Sequence, residues 1–516
     1  MIYSFSPFGY EGSIVAVEVD LRRGISAVDI VGLADGAVKE SRERMISAIR
    51  NQGFEFPAER VLMSLYPADL RKEGAGFDLP MALAVLRESE EMPRSQDEKV
   101  LVMGELELSG NVRPVRGVYT ALITARENGI KYAIIPEQTE AVPDGIIVNR
   151  VKNLREAFEA LCNVDEVEDT ANDEEMVELM NNGFGKTYTE VDNMDIEFEE
   201  VSKEESLDNI EGMNGLKFAM AVAVAGRHNI MAWGSPGCGK TLTLQKITQL
   251  MPKLTDEERG SVQRIYSIAG LLSLNEKIEH RPFRMPHQTA SIEGICGGGP
   301  SCRPGEISLA HNGVLFLDEA AEFRASVLQM LRVPLECNLI TLSRAGRTTV
   351  YPARFQLIMA TNPCPCGNYG SPDKVCLCSM KSVEMYWKKF SAPLLDRVGI
   401  RFDCNAEDSS GSFSLEELRK IIKTAWEVQY KRQGKLNQDL KIDEVNALKI
   451  SEFAKKVLNE ATEKYGYSPR GISNILKIAR TLQDMRGIDD RASPEIDDIA
   501  MRSAIRFHGK LPIDFE

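Results

Sequence analysis

Gly234-Ser235-Pro236-Gly237-Cys238-Gly239-Lys240-Thr241 is the stretch that decides the fold of this chain of 516 residues. It matches G-x-x-x-x-G-K-[ST], the pattern of a loop whose glycines let backbone N–H groups curl round nucleotide phosphates. A strand is predicted before it at Asn229–Trp233, and an apolar-periodic helix after it from Thr241 to Met251. This order of strand, loop and helix predicts an α/β core that binds ATP, because a helix amino terminus also attracts anions.

A second motif supplies the carboxylates that such a site needs. The predicted strand Gly313–Leu317 ends in Asp318 and Glu319, and the carboxyl ends of parallel strands meet at the edge where phosphates bind. We expect Lys240 to reach the β- and γ-phosphates, Thr241 and Asp318 to hold Mg²⁺, and Glu319 to polarise the attacking water. A chance glycine-rich turn or a solvated strand end explains either motif alone, but not both in this order.

Composition is typical of a soluble protein with several domains. The apolar fraction is 43% and the charged fraction 27%, and no apolar run reaches the ~18 residues that span a bilayer. The amino terminus lacks the pattern of an export signal and the ten cysteines suit a reducing compartment, so we predict a cytoplasmic protein. A net charge of −15 argues against coating nucleic acid over the whole surface, but it does not exclude a basic pore or loop.

Shifts in composition divide the chain into four predicted parts. These are a mixed amino-terminal domain (1–163), an acidic linker (164–211), the α/β core (212–405) and a helical lid (406–516). The lid is predicted because strand patterns end before Ser414-Leu415-Glu416-Glu417, a capping box that opens a long helix. Another helix is predicted to begin at Ser493-Pro494.

Motifs outside the nucleotide site recur in one known family. They are VGLAD at Val31–Asp35, ESRER at Glu40–Arg44, PADLRKEG at Pro67–Gly74, FDLP at Phe77–Pro80, RPGEI at Arg303–Ile307, HNG at His311–Gly313 and NPCPCG at Asn362–Gly367. Together with the nucleotide site they resemble the magnesium-chelatase-like AAA+ ATPases, specifically the YifB/ComM family of bacteria. The resemblance covers nearly the whole chain and implies an AAA+ core with a helical lid.

The resemblance assigns three further polar residues to the nucleotide site. Asn362, after the predicted strand Phe355–Ala360, resembles the sensor-1 residue that orients water, and a plain turn before Pro363 is the alternative. Arg397 resembles the arginine finger that acts in a neighbouring subunit, and Arg470 resembles sensor 2 at the start of a lid helix. Each arginine has a surface ion pair as its alternative role. An arginine finger supplied by a neighbouring subunit implies a ring of subunits. The resemblance to the family implies that this ring is a homohexamer.

The amino-terminal domain resembles the protease domain of Lon, which has the ribosomal S5 domain 2-like fold. A Lon-type protease needs a serine nucleophile and a lysine base. The matching segments of this chain, Lys72–Phe77 and Pro114–Tyr119, place Gly76 and Tyr119 at those positions. We therefore expect a scaffolding or DNA-guiding domain rather than a protease.

Four cysteines form the pattern C-x-C-x₉-C-x-C, and they are Cys364, Cys366, Cys376 and Cys378. Four thiolates can enclose a tetrahedral Zn²⁺, and such a set leaves no open position for catalysis. We favour a structural zinc. The spacing differs from the common C-x₂-C step, so four free thiols are the alternative.

Two basic stretches are candidates for contact with a threaded polymer. Ile340–Tyr351 is predicted to form a hairpin with Arg344, Gly346 and Arg347 at its tip, where helicase-like AAA+ proteins carry a pore hairpin. Arg281–Arg303 lies where the related helix-2 insert would be. Basic loop tips in a ring can follow a phosphate backbone, and an ordinary solvated turn is the alternative.

The sequence therefore predicts a hexameric, ATP-hydrolysing motor on single-stranded or branched DNA. By its family resemblance, it would drive branch migration, as a helicase does, when incoming single strands recombine with a chromosome in natural transformation. The alternative is a chelatase-type ATPase that remodels protein partners. ATP, Mg²⁺ and a structural Zn²⁺ are the expected ligands, and no membrane partner is expected.

Overall fold

The computed structural model describes residues 1–31, 33–34, 36–67, 70–72, 75–89, 99–139, 141–163, 196–272, 278–299, 302–344, 347–370, 374–406, 413–487, 495–509 and 511–512.

The amino-terminal domain combines a mixed sheet with helices. Its strands are β1 (Ile2–Ser6), β2 (Ser13–Arg22), β3 (Val28–Val31), β4 (Leu33–Ala34), β5 (Arg60–Tyr66), β6 (Arg71–Lys72), β7 (Val100–Val102), β8 (Glu105–Leu106), β9 (Val112–Arg113), β10 (Tyr132–Pro136) and β11 (Ile147–Val151). Seven of them form one sheet in the order β11-β10-β7-β1-β2-β5-β3. Its helices are α1 (Gly36–Asn51), α2 (Asp78–Ser89), α3 (Val118–Glu127) and α4 (Leu154–Cys162). The apolar helix α2 is buried from Asp78 to Leu86 because it packs against β2, α1 and α4.

The central domain is built on a parallel sheet. Its strands are β12 (Ile230–Trp233), β13 (Phe283–Arg284), β14 (Gly297–Gly298), β15 (Arg303–Pro304), β16 (Val314–Leu317), β17 (Leu339–Arg344), β18 (Arg347–Pro352), β19 (Gln356–Thr361) and β20 (Ile400–Asp403). Five of them pair in parallel in the order β13-β16-β19-β12-β20. Every residue of β12, β16 and β19 is buried, as expected for short apolar runs between two layers of helices. Because the strands are parallel, all their carboxyl ends lie along one edge.

Helices cover both faces of this sheet and continue into the carboxyl-terminal domain. In the central domain they are α5 (Asn214–Gly226), α6 (Lys240–Gln245), α7 (Asp256–Ala269), α8 (Ile292–Cys296), α9 (Glu306–Leu309), α10 (Ala325–Met330), α11 (Pro334–Cys337), α12 (Met380–Lys388) and α13 (Ala392–Leu395). The carboxyl-terminal helices are α14 (Leu415–Gln433), α15 (Ile442–Asn446), α16 (Glu452–Tyr465), α17 (Pro469–Asp484) and α18 (Asp498–Phe507). The Ser414–Glu417 capping box opens α14 as predicted, with both of its hydrogen bonds formed.

Three boundaries differ from the sequence prediction. The predicted helix Thr241–Met251 is α6 followed by a 3₁₀ turn at Lys246–Leu250. The predicted helix start at Ser493-Pro494 lies outside the described residues, and α18 itself begins at Asp498 under an Asp497 cap. Residues 196–211, assigned to the acidic linker, pack against the central domain, because their few apolar side chains find a core there. Ile196 and Leu207 are buried among its residues.

The amino-terminal domain and the central domain meet at α3 and α7. Arg264 of α7 donates to the carbonyl oxygen of Tyr10 over 3.0 Å, and its guanidinium lies 4.7 Å from the centre of the Tyr10 ring. The Thr120 hydroxyl of α3 donates to the Arg264 carbonyl oxygen. Tyr10 also packs edge-on against Tyr351 of β18, so the amino-terminal domain contacts the hairpin directly. Among the described residues, no helix is long and apolar enough to cross a membrane.

Candidate active site

The phosphate loop follows β12 directly. Gly237 and Gly239 have φ angles of 83° and 93°, a left-handed conformation that residues with a side chain rarely adopt. The Ser235 N–H donates to Asn405 Oδ1 over 2.9 Å. Since Asn405 follows β20, the neighbour of β12, the loop is anchored to the adjacent strand of the sheet.

Lys240 is the buried cation of this loop. Its ammonium donates to the carbonyl oxygens of Gly234 (3.0 Å) and Ser235 (3.2 Å) and to Asn362 Oδ1 (3.1 Å). The residue is only 7% exposed, and all three partners are neutral oxygen atoms. A buried ammonium with neutral partners leaves a positive charge that suits a phosphate group. The contact also brings Asn362, the predicted sensor-1 residue, to the phosphate loop.

The two acidic residues after β16 lie beside the same loop. The Thr241 hydroxyl donates to Asp318 Oδ1 over 3.0 Å, so a hydroxyl and a carboxylate stand together as oxygen ligands of the kind Mg²⁺ prefers. Glu319 adopts a φ angle of 47°, and its backbone N–H also donates to Asp318 Oδ1. The Glu319 carboxylate accepts a hydrogen bond of 2.8 Å from Gln288 Nε2. The residues present therefore fit an ATP–Mg²⁺ complex.

Cys238 of the phosphate loop lies next to Cys404, which follows β20. A Cβ on Gly234 would lie 2.9 Å from Cys404 Cβ and 3.2 Å from Cys238 Sγ. A hydrogen bond with Cys404 lowers the pKa of the Cys238 thiol to about 6.

Arg397 and Arg470 lie together, at the opposite edge of the sheet. Arg397 precedes β20, and its carbonyl oxygen accepts a hydrogen bond of 2.8 Å from Asn229 Nδ2, which precedes β12. The phosphate loop follows the other end of β12, and a strand of four residues spans roughly 13 Å. Both arginines bind one carboxylate, that of Glu336. The structure thus separates them from Lys240 within one subunit.

The four cysteines of the C-x-C-x₉-C-x-C pattern converge. Their Sγ atoms all lie within 4.8 Å of one another. Cys364 Sγ is 3.4 Å from Cys366 Sγ and 3.6 Å from Cys376 Sγ. Tetrahedral zinc–thiolate sites place sulfur atoms about 3.8 Å apart, since each Zn–S bond is about 2.3 Å. The cluster fits a tetrahedral metal ion.

The predicted hairpin is present, because β17 and β18 pair in antiparallel register from Leu339↔Pro352 to Arg344↔Arg347. The side chains of Arg344 and Arg347 lie outside the described residues. In the second basic stretch, the candidate for contact with a threaded polymer, two arginines are instead held within the protein. Arg281 is buried on backbone carbonyls and Glu258, and Arg284 forms a bidentate pair with Glu306. These two side chains are structural because burial requires partners for their charges.

Gly76 and Tyr119 lie in different surroundings. Gly76 is in a 3₁₀ turn at Ala75–Phe77, close to Val115. Tyr119 belongs to α3, at the contact between the amino-terminal and central domains. Its hydroxyl group lies so near Gly260 of α7 that it would contact a Cβ added to that glycine. Neither residue offers the serine hydroxyl or lysine amine of the Lon mechanism.

Comparison with known proteins decides the family. The family model described as "Magnesium chelatase, subunit ChlI" matches residues 206–411, that of "Subunit ChlI of Mg-chelatase" matches 17–139, and that of the ChlI carboxyl terminus matches 413–507. Competence protein ComM of Haemophilus influenzae is 33% identical, over 99% of each chain. The chain belongs to the YifB/ComM family. The protein YifB of Escherichia coli is 32% identical over 94% of this chain and 93% of its own.

Membership confirms the predicted family and fold class. A Lon protease of Geobacter metallireducens is 30% identical over 144 residues, which are 27% of this chain and 17% of that protein. The chain is thus an AAA+ protein with a Lon-like amino-terminal domain and a helical carboxyl-terminal region. The family supports ATPase activity with ATP and Mg²⁺.

Three residues around these sites were missed by the sequence analysis. Asn405 could have been found, because it follows the carboxyl end of a predicted parallel strand. Gln288 and Glu336 carry no local signal, since each reaches its partner only through the folded chain. Gln288 is 31 residues from Glu319, and Glu336 is 134 residues from Arg470.

Proposed function

We propose that this protein is an ATP-driven motor that acts on DNA as a ring of six identical subunits. Its task would be branch migration when incoming single strands recombine with a chromosome in natural transformation. We expect it to work in the cytoplasm. The observation that carries the ring is the position of Arg397 and Arg470 at the sheet edge opposite Lys240.

Each residue of the nucleotide site has a proposed role. Lys240 binds the β- and γ-phosphates, and Thr241 and Asp318 would hold Mg²⁺, which neutralises phosphate charge when bound. Glu319 accepts the proton of the attacking water, and Asn362 orients that water. The hydrogen bonds from Lys240 to Asn362 and from Thr241 to Asp318 support this division of roles.

A neighbouring subunit would complete the site. Among the described residues, no arginine of the same subunit contacts the phosphate loop, where one would neutralise the charge of the transition state. Arg397 and Arg470 instead lie together at the far edge of the parallel sheet. In a closed ring the far edge of one subunit meets the phosphate loop of the next. Arg397 and Arg470 would then act in trans on the neighbour's γ-phosphate.

DNA as the substrate is supported by the full-length similarity to a protein named for competence, ComM. The β17–β18 hairpin supplies a loop that six subunits would present to one channel, with Arg344 and Arg347 as the proposed phosphate contacts. The net charge of −15 favours contact through such loops over contact through the outer surface.

A structural metal ion, proposed to be Zn²⁺, would hold the cysteine cluster. Cys364, Cys366, Cys376 and Cys378 supply four sulfur ligands at suitable separations. A closed thiolate set stabilises the fold and leaves no position for a reacting water.

The proposal is tested by ATPase rates with no DNA, with forked DNA and with four-way junctions. We expect stimulation by branched DNA, and its loss in the double variant Arg344→Ala/Arg347→Ala with basal ATPase and oligomeric state unchanged. Arg113→Ala is the matched control, because Arg113 is an exposed arginine of the amino-terminal domain paired with Glu107. ATPase activity that no DNA stimulates would refute the DNA motor and favour remodelling of protein partners.

A further inference from the structure

Glu336 links two cations that come from different parts of the chain. Its Oε2 atom binds the guanidinium of Arg397, which follows α13, and its Oε1 atom lies 2.7 Å from Arg470 Nη2 in α17. Glu336 itself belongs to the short helix α11. One carboxylate therefore joins the central domain and the carboxyl-terminal domain through the two arginines proposed above to act in trans.

Charge explains why these arginines need a shared anion. Two guanidinium groups that approach the same place repel each other, and a carboxylate between them removes that cost. The ion pair with Arg397 lowers the pKa of Glu336, so the carboxylate stays ionised at neutral pH. Two cations and one anion leave one net positive charge, which suits a phosphate brought by another molecule.

The surroundings do not neutralise that remaining charge. A cavity of about 870 Å³ at this edge is lined by more cations than carboxylates, namely Arg227, Arg354, Arg397, Arg470, Lys441 and Lys477 against Glu336, Asp396 and Asp439. Arg227 and Arg354 are both paired with Asp439. Asp439 is thus already engaged by two cations of its own.

Exposure indicates which side of the cluster is open. The Arg397 side chain is 10% exposed and is also held by the Pro393 carbonyl oxygen, whereas the Arg470 and Glu336 side chains are 44% and 49% exposed. The Arg397 side chain is therefore already held in one orientation. The side chains of Arg470 and Glu336 next to it are accessible to solvent.

We propose that Glu336 is a positioning residue that holds Arg397 and Arg470 side by side as one unit directed at the nucleotide of a neighbouring subunit. This inference rests on the proposed ring. The contacts of Glu336 are with the two arginines, and it acts by fixing them. A merely structural ion pair, which ties α17 to the central domain, is the competing explanation.

The first experiment separates ATP binding from turnover in Glu336→Gln. We expect kcat to fall about 10- to 100-fold, because misplaced catalytic groups lose rate on that scale. The Kd for a non-hydrolysable ATP analogue should stay within about twofold, because the phosphate loop lies at the opposite edge. Glu197→Gln is the matched control, since Glu197 is a similarly exposed partner in an ion pair with Lys253. Wild-type turnover in Glu336→Gln would overturn the proposal, and so would a parallel loss of ATP affinity or of melting temperature.

The second experiment mixes two kinds of subunit. Glu336→Gln keeps its own phosphate loop, and Lys240→Ala keeps its Glu336–Arg397–Arg470 cluster. If Glu336 acts across the interface, mixing these two poorly active variants should restore ATPase activity above the sum of the separate rates. No gain on mixing would overturn the inference. A wild-type protein that turns over ATP without forming rings would instead refute the proposed ring, so the two failures are distinguishable.

Discussion

Gly367 packs so closely on Pro236 that a Cβ on Gly367 would lie 2.5 Å from Cγ of the proline ring. Pro236 belongs to the phosphate loop, and Gly367 follows the first two cysteines of the cluster. Trp387 extends the same contact, because its Nε1 donates to the Pro363 carbonyl oxygen over 2.9 Å and its ring packs edge-on against Trp233. The cysteine cluster and the phosphate loop therefore form one packed unit.

Gly367→Ala should weaken ATP binding without loss of metal. The added methyl group meets the Pro236 ring, and the φ angle of 78° disfavours any side chain. We expect the Kd for ATP to rise about 10-fold, measured by titration with a fluorescent analogue. Gly370→Ala is the control, because Gly370 has a similar φ angle of 75° but open space at its Cβ position. Equal effects of both substitutions would show that strain at φ, and not the contact with Pro236, is responsible.

Purified protein should contain about one equivalent of zinc per chain, measured by metal analysis. Removal of the metal by a chelator should lower the melting temperature by about 5 °C or more, because metal binding is linked to folding. Cys366→Ser should lose the metal, and Cys162→Ser should keep it, because Cys162 is an exposed cysteine outside the cluster. Metal-free protein from a preparation without chelator would contradict the site.

Lys240→Ala and Glu319→Gln should separate binding from hydrolysis. Loss of the buried ammonium should raise the Kd for ATP about 100-fold, since phosphate loses a charged hydrogen-bond donor. Glu319→Gln should bind ATP normally, and its turnover should fall about 100- to 10,000-fold, because only proton acceptance is lost. The Kd of each variant is measured with an ATP analogue, and its turnover is measured by phosphate release. Near wild-type turnover in Glu319→Gln would show that another group activates the water.

Cys238 should react with iodoacetamide at unusually low pH. Its pKa is lowered to about 6 by the hydrogen bond with Cys404, so the thiolate accumulates as pH rises through about 6. In Cys404→Ala the midpoint of the rate profile should move up towards the ordinary value of about 8.5. The rate is followed by mass spectrometry, and ATP should protect the thiol, which lies in the phosphate loop. A midpoint above 8 in the unaltered protein would refute the lowered pKa.

Local sequence predicted most of the nucleotide site. The phosphate loop and the Asp318–Glu319 pair are each a short run after an apolar strand, and parallel strands bring such runs to one edge whatever the rest of the chain does. Burial of β12 and β16 follows from their apolar residues alone. The hairpin bounds and the capping box at Ser414 were predicted for the same reason, since turns and caps depend on neighbours in the chain.

Contacts between distant segments could not be predicted in this way. Acidic composition hides the buried Ile196 and Leu207 at the end of the predicted linker. The pairing of Arg281 with Glu258 and of Arg284 with Glu306 joins residues 23 and 22 positions apart, and no local pattern predicts it.

The sequence by itself determined the α/β core and the phosphate loop, because periodicity and short motifs are properties of neighbouring residues. Through its resemblance to a known family it also indicated two candidate arginines. Only the tertiary structure decided that Arg397 and Arg470 share Glu336 at the edge away from Lys240, and that Gly367 lies on Pro236. Glu336 is 61 residues from Arg397 and 134 from Arg470, so their meeting depends on how strands and helices pack. Packing depends on residues throughout the chain, so no local sequence pattern predicts it.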